Sequence, residues 1–265
     1  MTLLLCYILT VIALNASPVP NLDPRYVLIS QQDLRKSILD TPLKIEKHLI
    51  FFERGGFPGL GSTLYVTYKA IYSKKPGNYA SHFLFGEAAR IYRAEIGRYR
   101  PNDGDRQKIT RQEQSTINDL WREAKEHLQR AVELNPESGL AQAEYGHFLI
   151  WETSDKKEGL ERMEKAVRLS PEMPRLHRLL GQVSAYSWLE SYNPTRAEKE
   201  LRKAIQLDSH YAVPHMTLAD MYWRQKRYKE AGVEARAFMA LTPASEHNGE
   251  FLKTILRDAE APLKK

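Results

Sequence analysis

Four closely spaced glycines are the residues of this chain that come nearest to a known chemical motif. Gly55, Gly56, Gly59 and Gly61 could supply the flexible backbone that cradles a phosphate. A phosphate loop would continue with Gly-Lys-Ser or Gly-Lys-Thr, which is missing here, and the dinucleotide spacing fails because Leu64 stands in place of its third glycine. The glycines therefore predict a loop rather than a nucleotide site.

Other candidate reactive groups are equally incomplete. Ser154 and Lys157 match the Ser-x-x-Lys pattern of some acyl-transfer enzymes, but they fall between two predicted helices and are expected to form a turn. The eight histidines never stand at a spacing typical of metal ligands, so we expect isolated core or surface histidines. We predict a protein that is not an enzyme and that holds no cofactor and no metal.

The first sixteen residues carry no charged side chain, and residues 3–14 form an apolar-dominated run. Such a run is too short to span a bilayer but has the length of a signal-peptide core, with Ala16 as a small residue before the cleavage site. Cleavage would also remove Cys6, the only cysteine, and leave no thiol for a disulfide or a nucleophile. We predict a signal peptide over residues 1–16 and an exported protein, periplasmic or secreted. The alternatives are an uncleaved anchor, which would be the one route to membrane contact, and a misread start codon.

The formal net charge of +6 is distributed unevenly. Residues 1–103 carry +5 of it, whereas residues 104–265 are almost balanced. No block of Lys and Arg alternates with aromatic residues, so nucleic acid is not an expected partner. The basic excess near the N-terminus supports one alternative function, that of an envelope protein binding polyanions or a membrane surface.

The elements that position these residues follow from an internal repeat. Each repeat ends in six residues that begin with alanine or phenylalanine, have leucine at the fourth position and, in three of four cases, finish with proline. The last positions of successive endings are separated by 35, 38 and 34 residues. The four endings are residues 131–136 (AVELNP), 166–171 (AVRLSP), 204–209 (AIQLDS) and 238–243 (FMALTP). Small and bulky residues alternate at spacings of four and three before each ending, which indicates one face of a helix. Upstream of three of these helices, a bulky-then-small pair marks another helix: Tyr145-Gly146, Leu180-Gly181 and Leu218-Ala219.

This combination resembles the tetratricopeptide repeat (TPR) family, whose units are two antiparallel helices of about 34 residues. The resemblance implies an all-α solenoid of helical hairpins over residues 79–243, with about four repeats at residues 79–136, 137–171, 172–209 and 210–243. Residues 244–265 are expected to form a capping helix and tail, capped at its start by Ser245. The third repeat carries extra residues around 188–192. The first carries an insertion at residues 99–118, where we expect a protruding helical hairpin.

Residues 17–78 form an N-terminal extension with a weaker pattern. We expect residues 44–75 to form a degenerate helix pair, with a strand hairpin through residues 49–52 and 64–68 as the alternative.

The resemblance also implies a binding surface, because the first helices of TPR units line the inner, concave side of the array. It predicts an exported scaffold that binds a peptide or helix of a partner protein in this groove. The residues carried over to the groove are Glu87, Arg90, His147, Trp151, Arg178, Gln182, Tyr186, Met216, Asp220 and Trp223. Their mixture of aromatic, charged and amide groups suits an extended peptide or a helix.

Overall fold

A computed structural model describes residues 60–74, 76–98, 109–242 and 249–261 of the chain. The predicted signal peptide, the leader after it and the residues around position 100 lie outside these ranges. Every regular element in the described part is an α-helix. The ten helices are α1 (Leu60–Lys74), α2 (Tyr79–Arg98), α3 (Arg111–Leu134), α4 (Gly139–Glu152), α5 (Lys156–Leu169), α6 (Pro174–Ala185), α7 (Pro194–Leu207), α8 (Ala212–Arg224), α9 (Tyr228–Leu241) and α10 (Glu250–Glu260).

The helices pack as successive pairs, which confirms the predicted fold class. Unit 1 consists of α2 and α3, unit 2 of α4 and α5, unit 3 of α6 and α7, and unit 4 of α8 and α9. Each second helix also contacts the first helix of the next unit, and α10 packs on α9. The buried core follows this stacking, since one cluster runs from α1 to α6 and a second runs from α6 to α10.

Small residues stand where the two helices of a unit cross. A Cβ added to Gly146 would lie 2.6 Å from the carbonyl oxygen of Gly159, and a Cβ added to Gly159 would lie equally close to the oxygen of Gly146. At Gly86 and Gly181 the added atom would meet a leucine of the second helix at 2.9 and 2.7 Å. Glycine at these positions is therefore required by contact between helices, as the repeat pattern predicts.

A polar pair links the two helices at one equivalent position in every unit. The first-helix member stands four residues before the small residue at which the two helices cross, and it contacts a side chain of the second helix. The pairs are His82 with His127 (Nδ1 to Nδ1, 2.8 Å), Gln142 with Arg162 (3.0 Å), His177 with Glu200 (2.6 Å) and His215 with Glu234 (2.7 Å). The expectation of isolated histidines is thus wrong for His82, His127, His177 and His215, because each has a hydrogen-bonding side chain on the opposite helix of its unit.

In units 1 to 3 the first-helix member also donates to the boundary turn that precedes its helix. His82 reaches the carbonyl oxygen of Pro76 at 2.9 Å, Gln142 that of Pro136 at 2.8 Å, and His177 that of Pro171 at 2.9 Å. Because a carbonyl only accepts, Nε2 of His82 carries a proton, and in the neutral ring Nδ1 then accepts from Nδ1–H of His127. Burial lowers the pKa of both rings, which favours their neutral forms.

The first unit is longer than the others. Its helices contain 20 and 24 residues, compared with 12 to 14 in units 2 to 4. Thr110 caps α3 in a reciprocal capping box with Glu113, so residues 111–118 are the first turns of α3. Residues 111–118 are helical and continue directly into the core-facing part of α3, and the protruding hairpin expected over residues 99–118 stays a prediction. Residues 99–108 lie outside the described ranges.

The N-terminal extension contributes α1, which packs against α2. The Tyr65 ring lies 5.6 Å from that of Tyr92, and the Tyr72 ring lies 5.0 Å from that of His82, so the two helices run antiparallel. The alternative of a strand at residues 64–68 is wrong, because these residues are in α1. Gly61 is in its first turn, so the predicted loop is also wrong at that glycine, while the other three glycines and residues 44–59 lie outside the described part.

The last helix covers the end of the array. Leu252 and Ile255 of α10 are buried against unit 4, whereas Phe251 stays 38% exposed. The helix begins at Glu250 with Gly249 at its N-cap, so the predicted cap at Ser245 does not start it.

Candidate functional site

The first helices α4, α6 and α8 pack side by side, and α2 contacts α4 through the Arg90–Glu144 and Arg93–Glu152 pairs. We call the surface of these four helices the first-helix face. All ten residues predicted for the groove are on these helices or directly after α6. None of them is fully exposed: Glu87, Arg178 and Asp220 are buried, and the other seven are partly buried. Their role in binding stays a prediction.

A four-membered charge cluster joins α2, α4 and α6. Arg90 donates two hydrogen bonds to Glu87, at 3.0 and 2.8 Å, and lies 4.0 Å from Glu144. Arg175 donates to Glu144 through Nε and lies 3.8 Å from Glu87. The cluster thus brings two carboxylates together with two guanidinium groups, so each acidic side chain has a positively charged neighbour inside the fold.

The cluster sets the ionisation of its members and of a neighbouring histidine. Burial disfavours the charged form of Glu144, but Arg175 and Arg90 outweigh it and lower the pKa of Glu144 to about 2. At Glu87 burial prevails and raises the pKa. Burial, together with the positive charge of Arg90, lowers the pKa of His147 well below the ordinary histidine value, so this ring is neutral at physiological pH.

Sequence analysis missed two members of this cluster, Glu144 and Arg175. A signal for both was available, since each stands three residues before a predicted groove residue, His147 and Arg178. Residues three apart share a helix face.

A row of aromatic rings crosses from α4 toward α8 at the end of the first-helix face. The Trp151 ring meets Tyr186 edge-on at 5.6 Å, and Tyr186 stacks on Trp188 at 4.5 Å. The guanidinium of Arg224 lies 5.0 Å from the centre of the Trp188 ring, and the Asp220 carboxylate accepts from it at 2.7 Å. We call Trp151, Tyr186 and Trp188 the aromatic ridge.

Trp188, which was not among the predicted groove residues, is the most exposed of the three. It is 54% exposed and belongs to the extra residues of unit 3. Hydrogen bonds join that loop to the helices on either side of it: Ser191 Oγ donates to the Val183 carbonyl at 2.6 Å, Asn193 N to the Ser184 carbonyl at 2.9 Å, and Arg196 to the Ser191 carbonyl at 3.1 Å. An aromatic residue in a repeat insertion was the sequence signal that could have identified it.

Two residues of unit 4 that were predicted for the groove, Trp223 and Met216, have their contacts elsewhere than on the aromatic ridge. Trp223 donates through Nε1 to Asp258 of α10 at 2.9 Å, and its ring meets Phe251 edge-on at 5.6 Å. Met216 packs against the core cluster of the last units. Trp223 therefore attaches the capping helix, which is a structural use that its spacing did not reveal.

Within the described residues, His, Cys, Asp and Glu form no group of three or more that could hold a metal ion. A search of the same residues finds no helix with the length and apolar character needed to cross a membrane. Ser154 precedes α5 in the turn after α4, and Lys157 is in the first turn of α5.

Comparison with known proteins gives similarity in structure but none in sequence. No protein family model matches the chain, and no curated protein matches it in sequence. Among solved structures, the chain is similar to one described as the crystal structure of the APC/C hetero-tetramer Cut9-Hcn1, with 16% sequence identity and a TM-score of 0.45. The alignment covers 90% of this chain but only 46% of that one, so the chain spans less than half the length of that protein. The architecture of paired helices is given by the packing of the helices themselves.

Proposed function

We propose that this chain is a non-catalytic scaffold that holds a segment of a partner protein on its first-helix face, with the aromatic ridge as the anchor. The observation that carries the proposal is Trp188, a large ring left 54% exposed on a loop that three hydrogen bonds join to α6 and α7. Fixed aromatic residues flanked by arginine are the typical composition of binding hot spots. A rigid ring also loses little conformational entropy when a partner covers it.

Export is a further part of the proposal and depends on residues 1–16. The apolar run and the small residue before Ser17 support it. Mass spectrometry of the mature N-terminus tests it directly: Ser17 as the first residue is expected, and an intact Met1 would contradict it.

Site-specific crosslinking tests the binding surface even while the partner is unidentified. A photoreactive phenylalanine derivative at position 188 is expected to give a discrete adduct with another protein in the cells that produce the chain. The matched control is the same residue at position 233, because Val233 is 60% exposed but belongs to α9, a second helix. Absence of an adduct at position 188, or the same adduct at both positions, would contradict the proposal.

Binding of polyanions or a membrane surface remains the alternative function that the sequence supports. It depends on the basic excess of residues 1–103, of which more than half lie outside the described ranges. Affinity for heparin that falls steeply with salt concentration would favour it.

A further inference from the structure

Unit 1 differs from the other units in the side chain that faces its first-helix histidine. The partner of His82 is a second histidine, His127, whereas the residue at the same place is an arginine in unit 2 and a glutamate in units 3 and 4. Both rings of the unit 1 pair are buried, with exposed fractions of 6% and 5%. Because each imidazole can bind a further proton, the hydrogen bond between them depends on how many protons the pair holds.

The pair has room for one extra proton but not for two. With both rings neutral, Nδ1–H of His127 donates to Nδ1 of His82, and Nε2–H of His82 donates to the Pro76 carbonyl. A first proton can add to Nε2 of His127 and leave both bonds in place. A second proton can add only to Nδ1 of His82, where it faces Nδ1–H of His127. Two donors and two positive charges then meet across 2.8 Å, so the doubly protonated pair must separate.

The helix α1 occupies the space beside this pair. The Tyr72 ring lies edge-on to both histidines, with ring centres 5.0 Å from His82 and 4.7 Å from His127, and it stacks on Phe85 at 5.4 Å. An aromatic ring can stabilise one charged histidine next to it, but it does not offset two charges held at hydrogen-bonding distance. A separated pair therefore reaches water most directly when Tyr72, and α1 with it, moves away.

The charged groups around the pair do not remove the repulsion. They are Lys69 on α1 and Glu123, Glu126, Arg130 and Glu133 on α3, while Glu87 and Arg90 on α2 belong to the charge cluster with α4 and α6. Glu123 already accepts from Lys69 and Tyr65, and Glu133 accepts from Arg130. Burial outweighs these charges and lowers the pKa of both histidines, so the fold favours the neutral pair.

The attachment of α1 is weaker than the contact between the two helices that carry the histidines. α2 and α3 contain 20 and 24 residues and touch closely at their crossing, where Gly86 meets Leu128. α1 contains 15 residues and is the first helix of the described part. Its ion pair to α3 joins Lys69 to Glu123 at 3.1 Å, but half of the Lys69 side chain is exposed, and such pairs contribute little. Release of α1 is therefore the least costly way to free the rings.

We propose that the His82–His127 pair is an acid-sensitive latch, which holds α1 on unit 1 at neutral pH and releases it when both rings are protonated, while units 2 to 4 stay folded. Release uncovers an aromatic surface of α2, because Phe85 and Tyr92 pack against Tyr65 of α1. Released histidines bind protons that the docked pair excludes, so docking is strongest above about pH 6.5 and weakens as the pH falls. The latch does not depend on the binding role of the first-helix face.

Amide hydrogen exchange of the full chain at pH 7.5 and pH 5.5 tests the latch, with rates corrected for the pH dependence of exchange in unstructured peptides. We expect the protection of α1 amides to fall about tenfold or more between these values, because each proton taken up on release shifts the equilibrium by up to about tenfold per pH unit. Protection in α5 to α9 is expected to change by less than about threefold. Equal protection of α1 at both pH values, no protection at either, or an equal loss in α5 to α9 would overturn the inference.

His82→Gln removes the chemistry of the latch and keeps its geometry. Unit 2 shows that glutamine suits this position, since Gln142 Nε2 donates to the Pro136 carbonyl at 2.8 Å while its Oε1 accepts from the cationic Arg162 at 3.0 Å. The amide of His82→Gln can likewise accept from a protonated His127, so α1 protection is expected to fall no more than about threefold between pH 7.5 and pH 5.5.

His127→Gln is a second variant with the same expected result, because its amide can donate to a neutral His82 or accept from a protonated one. The matched control is His177→Gln, which makes the same change at the equivalent position of unit 3 and is expected to leave the tenfold fall in α1 unaltered. If α1 loses protection in His82→Gln and His127→Gln as it does in the unaltered chain, the acid response belongs to other groups and the inference is wrong.

Discussion

The polar pair between the two helices of a unit is built differently in unit 1 and unit 3. In both units a histidine of the first helix bonds to a proline carbonyl through one nitrogen and faces the second helix with the other. The hydrogen-bonding partner on the second helix is His127 in unit 1 and Glu200 in unit 3. The comparison teaches that one position of the repeat can be filled by two histidines, whose contribution to stability acid weakens from about pH 6.5 downward, or by a histidine and a carboxylate of lowered pKa, whose contribution acid weakens only below about pH 4.5.

The largest expected effect comes from removing the histidine of unit 3. His177→Leu leaves the buried Glu200 carboxylate without the hydrogen bond that lowers its pKa, at a cost of about 3 kcal/mol. His82→Leu leaves a neutral His127 with one unmatched nitrogen, at a cost of about 1 to 2 kcal/mol. Urea unfolding of both variants at pH 7 measures the difference, and equal losses would show that the second-helix partner does not matter.

Exchanging the partner in unit 1 is expected to have the next largest effect, and it depends on pH. Because the pKa values of His82 and His127 are lowered in the fold, their pair stabilises the protein fully above pH 6.5, approximately the unfolded histidine pKa, and loses this contribution as the pH falls. In His127→Glu, a carboxylate would raise the pKa of His82 and retain the contribution down to about pH 5.

The loss of unfolding free energy between pH 7.5 and pH 5.5 is therefore expected to be about 1 kcal/mol smaller in His127→Glu than in the unaltered chain. Tyr72 and Phe85 pack on the rings, and Glu123, Glu126, Glu133, Arg130 and Lys69 surround them in both forms. Identical pH dependence in the two proteins would exclude the pair as its source.

The smallest expected effect is in unit 2, whose pair contains no group that titrates near neutral pH. Arg162→Met removes the bond to Gln142 at 3.0 Å, the contact of the guanidinium with the Tyr145 ring at 5.0 Å and a partly exposed ion pair with Glu158 at 2.7 Å. A destabilisation of about 1 kcal/mol is expected, and it should be the same at pH 5.5 and pH 7.5. A loss that changes with pH in this range would mean that another group couples to the pair.

Much of the fold could be predicted because its causes are local. Gly146 and Gly159 must be small for two backbones to touch, and Pro136 and Pro171 cannot continue a helix, so each leaves a signal at its own position. The first-helix histidines were also recognisable, since His82, His177 and His215 each stand four residues before the small crossing residue of their unit. A search for metal-site spacings does not find this signal, because the paired positions recur once per repeat rather than within one helix turn.

The site could be predicted only in part, because its partners come from distant helices. Spacing placed Glu87, Arg90 and Trp151 on the right helices, but it could not show that Arg175 joins Glu144 across α4 and α6. Nor could it show that Trp223 donates to α10 while Trp188 remains open to solvent. These differences depend on which element faces which, and a helical period alone does not specify that.

The bond from each first helix to the proline carbonyl before it has a consequence for how the array comes apart. In units 1 to 3 the carbonyl belongs to the boundary turn between neighbouring helix pairs, so a unit that melts withdraws an acceptor from the unit that follows. Opening is therefore transmitted between nearest neighbours, as in a one-dimensional chain of coupled elements. Unit 4 is the last unit of the array and packs against α10. Its His215 bonds to Glu234 of the same unit at 2.7 Å. Amide hydrogen exchange should consequently advance in whole-unit steps.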